Sequence, residues 1–361
     1  MSYIKEFKIY GLCGSREPVK YRLNRDLNII FGLNGSGKTS LLKILHSAMK
    51  HQPISKKEAF FENAEVKITS DERNFVKKID LTEKSVKTIK QSQWHCTDTD
   101  EKCFKHVYLS TTRLFMDIEK FTRPYMLDDK GEAEDIFNKI FEKGLVNSWA
   151  SYYSIISKKI RDAQQEGLTN IFNEVFREKS KLTKSSQEYD SNTAFEKVRN
   201  FLKRQNSVLT IGDFESFANR LKEDDLLERV VIQIENVESK IENYSAPIYQ
   251  LNEVVSKLFT GNKKVIFEDE KIRVVTDEEK FINLSQLSSG EKNLLKILIE
   301  LFLVEDSSLL IDEPELSLHI DWQRDLVKTM RTLNPDAQII LATHSPDILG
   351  SAAESETFFL K

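Results

Sequence analysis

Gly32-Leu33-Asn34-Gly35-Ser36-Gly37-Lys38-Thr39 is the stretch that decides the fold. It is a full G-x-x-x-x-G-K-T loop. It follows the strand-like run Leu27-Asn28-Ile29-Ile30-Phe31 and precedes Leu41, Leu42, Ile44, Leu45, Ala48 and Met49, which are spaced as one buried helix face before Gln52-Pro53 stops them. Strand, glycine loop and helix in that order make a triphosphate cradle. The glycines let main-chain N–H groups close on phosphate, the helix N-terminus adds positive potential, and Lys38 supplies a mobile cation for the β- and γ-oxygens. Asn34, Gly35, Ser36, Gly37, Lys38, Thr39 and Ser40 are thus the expected nucleotide-binding residues, with ATP as ligand and Thr39 as a magnesium ligand.

Working outward, two distant segments complete the same chemistry. Leu309-Leu310-Ile311 is short and apolar, fit for a buried parallel strand, and it ends abruptly in Asp312-Glu313-Pro314. Carboxylates at the C-terminal end of such a strand face the crevice where open α/β sheets bind ligands. Asp312 can reach magnesium through water, and Glu313 can polarise an attacking water. Gln338-Ile339-Ile340-Leu341-Ala342-Thr343 reads as a second buried strand that delivers His344 to the same edge, a candidate sensor of the γ-phosphate. Leu287-Ser288-Ser289-Gly290-Glu291 opens a helix carrying Leu294, Leu295, Ile297, Leu298, Leu301 and Phe302. Serine there caps the helix, and its hydroxyl can equally bond a phosphate.

The chain has 361 residues, 40% hydrophobic and 30% charged, enough for one large core with an appendage or for two domains. A formal net charge of −4 leaves no whole-chain electrostatic argument for nucleic acid, so any such contact would be a local patch. No apolar stretch approaches the roughly 20 residues of a membrane span, and the first residues are not a signal peptide. Three cysteines make no disulfide framework. A cytoplasmic protein is expected.

Strand patterns fall at Phe7–Tyr10, Val19–Leu23 and His106–Ser110, with a hairpin of Glu65–Thr69 and Phe75–Ile79 and another of Lys264–Phe267 and Ile272–Val275. From about Met116 to Phe259 the pattern is helical. Leu227, Val230, Ile234, Val237, Ile241, Tyr244, Ile248, Leu251, Val255 and Leu258 form a heptad seam, with a kink or a restart expected near Ser245-Ala246-Pro247. A stripe of Trp149, Tyr152, Ile156, Ile160 and Ala163 marks its antiparallel partner, and the polar stretch from Arg177 to Asn192 reads as a loose tip. The expected organisation is 1–115 as the first half of a head, 116–259 as a helical insertion, and 260–361 as the second half. His95, Cys96, Cys103 and His106 do not follow zinc-ligand spacing and read as a loop with reduced thiols.

Phosphate loop, helical insertion, Ser-Ser-Gly-Glu signature, acidic strand end and strand-end histidine, in this order, resemble the ATP-binding-cassette ATPases. The chain is most similar to their soluble branch, which includes RecF, the SMC ATPases and the OLD-type ATPases of phage-defence and abortive-infection systems. The resemblance covers roughly 1–115 and 255–361. It implies an α/β fold: an ABC-type P-loop NTPase head, with a mixed core sheet and an antiparallel β subdomain, bearing an inserted helical, short coiled-coil subdomain. It further implies a homodimer or higher homo-oligomer through contacts between heads, with Ser288, Ser289, Gly290 and Glu291 closing on ATP held by Lys38 of the other copy. Glu313 and His344 would be catalytic, and Thr39 and Asp312 would hold magnesium. Arg113 stands in the Q-loop position, and Arg16 and Tyr10 are candidates for the adenine contact. Ile320 departs from the proline usual after Glu315-Leu316-Ser317-Leu318-His319.

Two functions of different classes fit this resemblance. One is an ATP-driven sensor in a phage-defence complex that acts with a separate effector, a nuclease in trans, since little sequence follows His344. The other is a DNA-repair or chromosome-associated ATPase that clamps DNA itself, against which stand the net acidity and a short insertion. A transporter cassette is a weaker third, because the insertion replaces what docks on membrane subunits.

Overall fold

The computed structural model describes residues 2–71, 73–81, 94–96, 103–110, 130–176, 190–204, 211–350 and 352–360. The chain divides into two compact units, one of residues 1–148, 254–266 and 272–361, the other of 149–253 and 267–271.

The first unit is built on a five-stranded sheet in the order β13-β3-β12-β11-β7. Its strands are β3 (Leu27–Gly32), β7 (His106–Leu109), β11 (Ser308–Asp312), β12 (Gln338–Thr343) and β13 (Thr357–Leu360), and every pairing is parallel. Strands β11 and β12 are buried at every position, as their unbroken apolar runs require of a sheet covered on both faces. Register sets Leu310 opposite Tyr108 on one side and Ile340 on the other, with Ile340 in turn opposite Asn28.

A second, antiparallel sheet has the order β2-β1-β4-β5-β6. It contains β1 (Ser2–Tyr10), β2 (Val19–Arg22), β4 (Asn63–Ser70), β5 (Arg73–Asp80) and β6 (His95–Cys96). The hairpin read from the sequence is the β4–β5 pair, with Ser70 opposite Arg73. Helix α1 (Lys38–Lys50) buries Leu41, Leu42, Ile44, Leu45, Ala48 and Met49 in one core with Ile4, Phe7 and Ile9 of β1, Val66 and Ile68 of β4, and Leu310 and Ile340. Each such aliphatic side chain contributes roughly 1.5–3 kcal/mol on burial.

The two sheets are also tied by polar contacts. Gln338, fully buried, donates to the carbonyls of Ile4 and Asn24, while its Oε1 accepts from Ile4 N–H and Ser308 Oγ. A three-stranded sheet, β10-β9-β8, joins β8 (Lys263–Glu268), β9 (Lys271–Thr276) and β10 (Phe281–Ile282). Among the described residues no helix is long and apolar enough to cross a membrane.

Helix α2 (Lys130–Phe176) enters the second unit at Trp149, where it is joined by α3 (Ser191–Arg204), α4 (Phe214–Glu223) and α5 (Asp225–Leu258). Ion pairs Glu166–Lys240 at 3.0 Å and Glu174–Arg229 at 3.3 Å step in opposite directions along α2 and α5, so the two run antiparallel. Gly167 lets them approach closely, since a Cβ there would meet Val237 Cγ2 at 2.0 Å. Every seam residue from Leu227 to Leu258 is buried or half-buried.

Two sequence expectations change here. Helix α5 runs through Pro247, so of the kink or restart expected there the restart does not occur. One lost N–H does not stop a helix whose neighbours Tyr244, Ile248 and Leu251 remain covered. Ser191 and Asn192 belong to α3, which Asp190 initiates by accepting from Asn192 N–H and from the Thr193 hydroxyl; the rest of the expected loose tip, 177–189, lies outside the described residues. Of the helical pattern expected from Met116, residues 116–129 lie outside the described residues, and a helix is described from Lys130.

Candidate functional site

Strand β3 runs into the phosphate loop, which turns at Gly35 (φ 85°) and Gly37 (φ 94°), both in the left-handed region that glycine enters without strain. Gly32 is equally constrained, because a Cβ would sit 2.6 Å from both Leu360 O and Ser36 Oγ. No side chain caps α1: Gly37 is its N-cap, so the N–H groups of its first turn are left to a ligand. Lys38 is only 5% exposed, and its ammonium donates to Gly32 O (2.8 Å) and Leu33 O (2.9 Å), folded back on its own loop. The buried Ser36 Oγ has no hydrogen-bond partner among the described residues.

The parallel register carries the other expected groups to the same sheet edge. Thr343 pairs with Phe31 and Asp312 with Ala342, so Gly32, Asp312-Glu313 and His344 all leave adjacent strands at their C-terminal ends. Asp312 is fully buried. Burial, aided by the Asp312 carboxylate, pushes the Tyr108 phenol well above its usual range. Glu313 holds a left-handed conformation (φ 45°) pinned by its N–H to Ala342 O at 2.8 Å, a strain of roughly 1–3 kcal/mol for a residue of this kind. His344 Nδ1 lies 3.6 Å from Glu313 Oε1 and 3.2 Å from Glu315 Oε1.

Glu315 was expected only as part of a family segment, with no role of its own. It is 8% exposed, and its Oε1 accepts from the Thr343 hydroxyl at 2.6 Å and from His344 N–H at 2.9 Å. The sequence signal was a second acid two residues after Glu313. Its partners lie 28 and 29 residues away, beyond local pattern.

Ser288 caps helix α6 (Ser289–Leu303). Its Oγ accepts from Glu291 N–H, and the Glu291 carboxylate accepts from Ser288 N–H at 2.6 Å. Burial alone would raise the Glu291 carboxyl, but these bonds and Lys263 at 2.9 Å hold it below its ordinary value. At Gly290 a Cβ would meet Ser317 O at 2.3 Å, so α6 rests backbone to backbone on the turn after Glu313. Asn293 secures the same turn, donating to Leu316 O at 2.6 Å. Helix α7 (Ile320–Leu333) starts with His319 as N-cap, so Ile320 occupies the first helical position where proline was expected.

Of the remaining candidates, Arg16 is exposed just past the turn Leu12–Gly14, which packs on Gly37: a Cβ there would meet Cys13 Sγ at 2.8 Å. Tyr10 is half-buried, with the Lys8 ammonium 4.6 Å from its ring centre. Arg113 lies outside the described residues. Among the described residues no His, Cys, Asp and Glu group is arranged to hold a metal by itself. An oxygen set completed by phosphate is a different case, and the Thr39 hydroxyl and buried Asp312 carboxylate fit magnesium, a hard cation that keeps several waters.

His106 is instead committed to His46 of α1, with 2.8 Å between Nε2 and His46 Nδ1. His106 Nδ1 donates to Phe104 O, so Nε2 accepts from His46. Burial, then the neighbouring His106 and Lys50, lower the His46 pKa to about 3 from 6.5. The folded state therefore favours the neutral ring. Its contribution to stability is complete above pH 6.5 and is lost as pH falls from there toward about 3. We expect His46→Gln, which still donates to His106, to flatten the fall in unfolding temperature between pH 7 and pH 4.5. An unchanged slope would remove His46 as its source.

The family profile described as the AAA ATPase domain matches residues 3–349. The retron Vc95 probable ATPase of Vibrio cholerae serotype O1 biovar El Tor is 32% identical over 88 residues, 21% of this chain and 17% of that protein. The retron Ec83 probable ATPase of Escherichia coli is 23% identical over 154 residues, 38% and 28% of the two chains. The Septu protein PtuA of Bacillus thuringiensis is 42% identical over 52 residues, 14% and 13% of the two. The chain thus spans less than a third of the length of each of these relatives. Among solved structures, the Smc head domain with an extended coiled coil, bound to the C-terminal domain of ScpA, from Pyrococcus furiosus has a TM-score of 0.48 at 14% identity, covering 98% of this chain and 92% of that one.

Proposed function

This chain belongs to the AAA ATPase domain family, and from that premise we propose that it binds Mg-ATP between two copies of its head and hydrolyses it as a conformational switch. One observation carries the reading: three adjacent parallel strands deliver the phosphate loop, Asp312-Glu313 and His344 to a single edge. There the uncapped α1 N-terminus and Lys38 receive the β- and γ-phosphates, with Ser36 Oγ beside them. Thr39 and Asp312 would hold magnesium, which would offset phosphate charge. Glu313 orients and deprotonates water, and His344 contacts the γ-phosphate. Arg16 and Arg113 remain candidates for the base and the Q-loop contact.

The signature Ser288 to Glu291 then serves the ATP of the opposite copy. Ser288→Arg is expected to keep nucleotide binding within about 2-fold while hydrolysis falls by roughly 100-fold or more, because a bulky charge blocks closure. Mixing it with Lys38→Ala restores one intact composite site per heterodimer, hence about half of the wild-type rate per dimer. No recovery after heterodimers are verified by pull-down would refute the shared site.

The likeness to retron ATPases and to a Septu protein supports a place in phage defence, with the damage done by a separate effector, a nuclease in trans. Purification with the neighbouring gene product, with and without ATP, tests this. Co-elution that depends on nucleotide is expected. A chain that elutes alone and binds duplex DNA in ATP would point to the clamp instead.

A further inference from the structure

The switch histidine is held by a residue outside the motif that names it. Glu315 follows the catalytic pair by two residues, and its side chain turns inward, where it is almost wholly withdrawn from water. A carboxylate in such a place is costly unless its oxygens are used. Oε1 is used heavily: the Thr343 hydroxyl and the His344 N–H both donate to it, and His344 Nδ1 stands 3.2 Å away. Oε2 is buried with no hydrogen-bond partner among the described residues, so the binding geometry is concentrated on one oxygen. Thr343 is held in turn, its Oγ1 accepting from Ser345 N–H at 2.9 Å.

These contacts constrain His344 twice. The main chain is fixed by N–H donation, which sets where the ring begins. The ring is fixed because Nδ1 faces two carboxylate oxygens, of Glu315 and, at 3.6 Å, of Glu313. A proton on Nδ1 satisfies both, whereas a lone pair there would face two negative oxygens. The Nδ1 side of the ring is therefore turned to Glu315 and, less closely, to Glu313, which favours a proton on that nitrogen.

We propose that Glu315 is a positioning residue of the hydrolytic site, fixing the main chain and the ring of His344 through a single carboxylate oxygen. The proposal rests on the reading of His344 as the phosphate contact. Its effect belongs to the chemical step. Lys38 and the α1 N-terminus, which hold ATP, are not among the groups Glu315 bonds.

A double-mutant cycle tests it, with kcat, KM for ATP and the affinity for a fluorescent ATP analogue measured in each protein. Glu315→Ala should lower kcat roughly 10-fold or more while KM and analogue affinity stay within about 2-fold. Glu315→Gln keeps an acceptor oxygen for Thr343 and His344 and should regain most of the loss. In the His344→Ala background, adding Glu315→Ala should cost less than about 2-fold, because the residue it positions is gone. Costs that multiply in the double variant, or a Gln variant no better than Ala, overturn the proposal.

If Glu315→Ala loses its cooperative thermal transition, Thr343→Val takes its place, since it removes one donor from the same oxygen and leaves the carboxylate. The same lack of additivity with His344→Ala is expected, and additivity again overturns the role. Glu313→Gln serves as the control. Wild-type turnover in that variant removes Glu313 as the group that activates water, and wild-type turnover in His344→Ala sinks the reading of His344 on which the proposal rests, whereas an impaired His344→Ala with an additive cycle sinks only the role of Glu315.

Discussion

Lys38→Ala is expected to weaken ATP binding by roughly 10²- to 10⁴-fold, the equivalent of two charge-assisted hydrogen bonds to the β- and γ-phosphates. The ammonium donates to Gly32 O and Leu33 O, and ATP would draw it away from them. Loss of those two bonds should disturb the fold little, because Leu33 is 81% exposed and water can replace the donor at its carbonyl. Isothermal titration with ATP and magnesium, beside a thermal melt of each protein, checks both halves. Unchanged affinity in a folded variant would mean that phosphate is held elsewhere.

Glu313→Gln should bind ATP with wild-type affinity and hydrolyse it roughly 10²- to 10⁴-fold more slowly, the usual worth of a positioned base. The substitution keeps chain length and the same left-handed backbone at φ 45°, so the strain is common to both proteins and only the basicity differs. Pairs closed on ATP should accumulate, visible as a nucleotide-dependent shift in size-exclusion elution. Turnover at the wild-type rate would show that another group activates water.

The groups of this site that were legible in sequence are those whose proposed partners are phosphate, metal or water. The glycine loop, Asp312, Glu313 and His344 declare themselves because their chemistry demands fixed residue types at strand ends. The seam from Leu227 to Leu258 was legible for a different reason: its period is written in consecutive turns of one helix.

What stayed hidden depends on pairings across long separations. Glu315 gains its role only when β12 lies beside β11, and His46 meets His106 across 60 residues. Strand β13 is four residues long, and β1 runs to Ser2 through a register shift between Ile4 and Glu6, so neither shows a clean alternation. At Pro247 the helix does not end, and the flanking seam positions stay covered.

The meeting of Gly290 with Ser317 O bears on how force passes through the head. A link made by long side chains behaves as a spring, because each rotatable bond can absorb part of a displacement. Here there is no side chain on the α6 side and only a carbonyl on the other, so the contact is a hard stop. Any push on the first turn of α6 arrives at the turn after Glu313 with almost no give. A neighbour closing over Ser288, as the proposed pairing requires, would thus be felt at Glu313 of the same copy, and the two proposed ATP sites of a pair would be coupled through rigid backbone without a dedicated messenger residue.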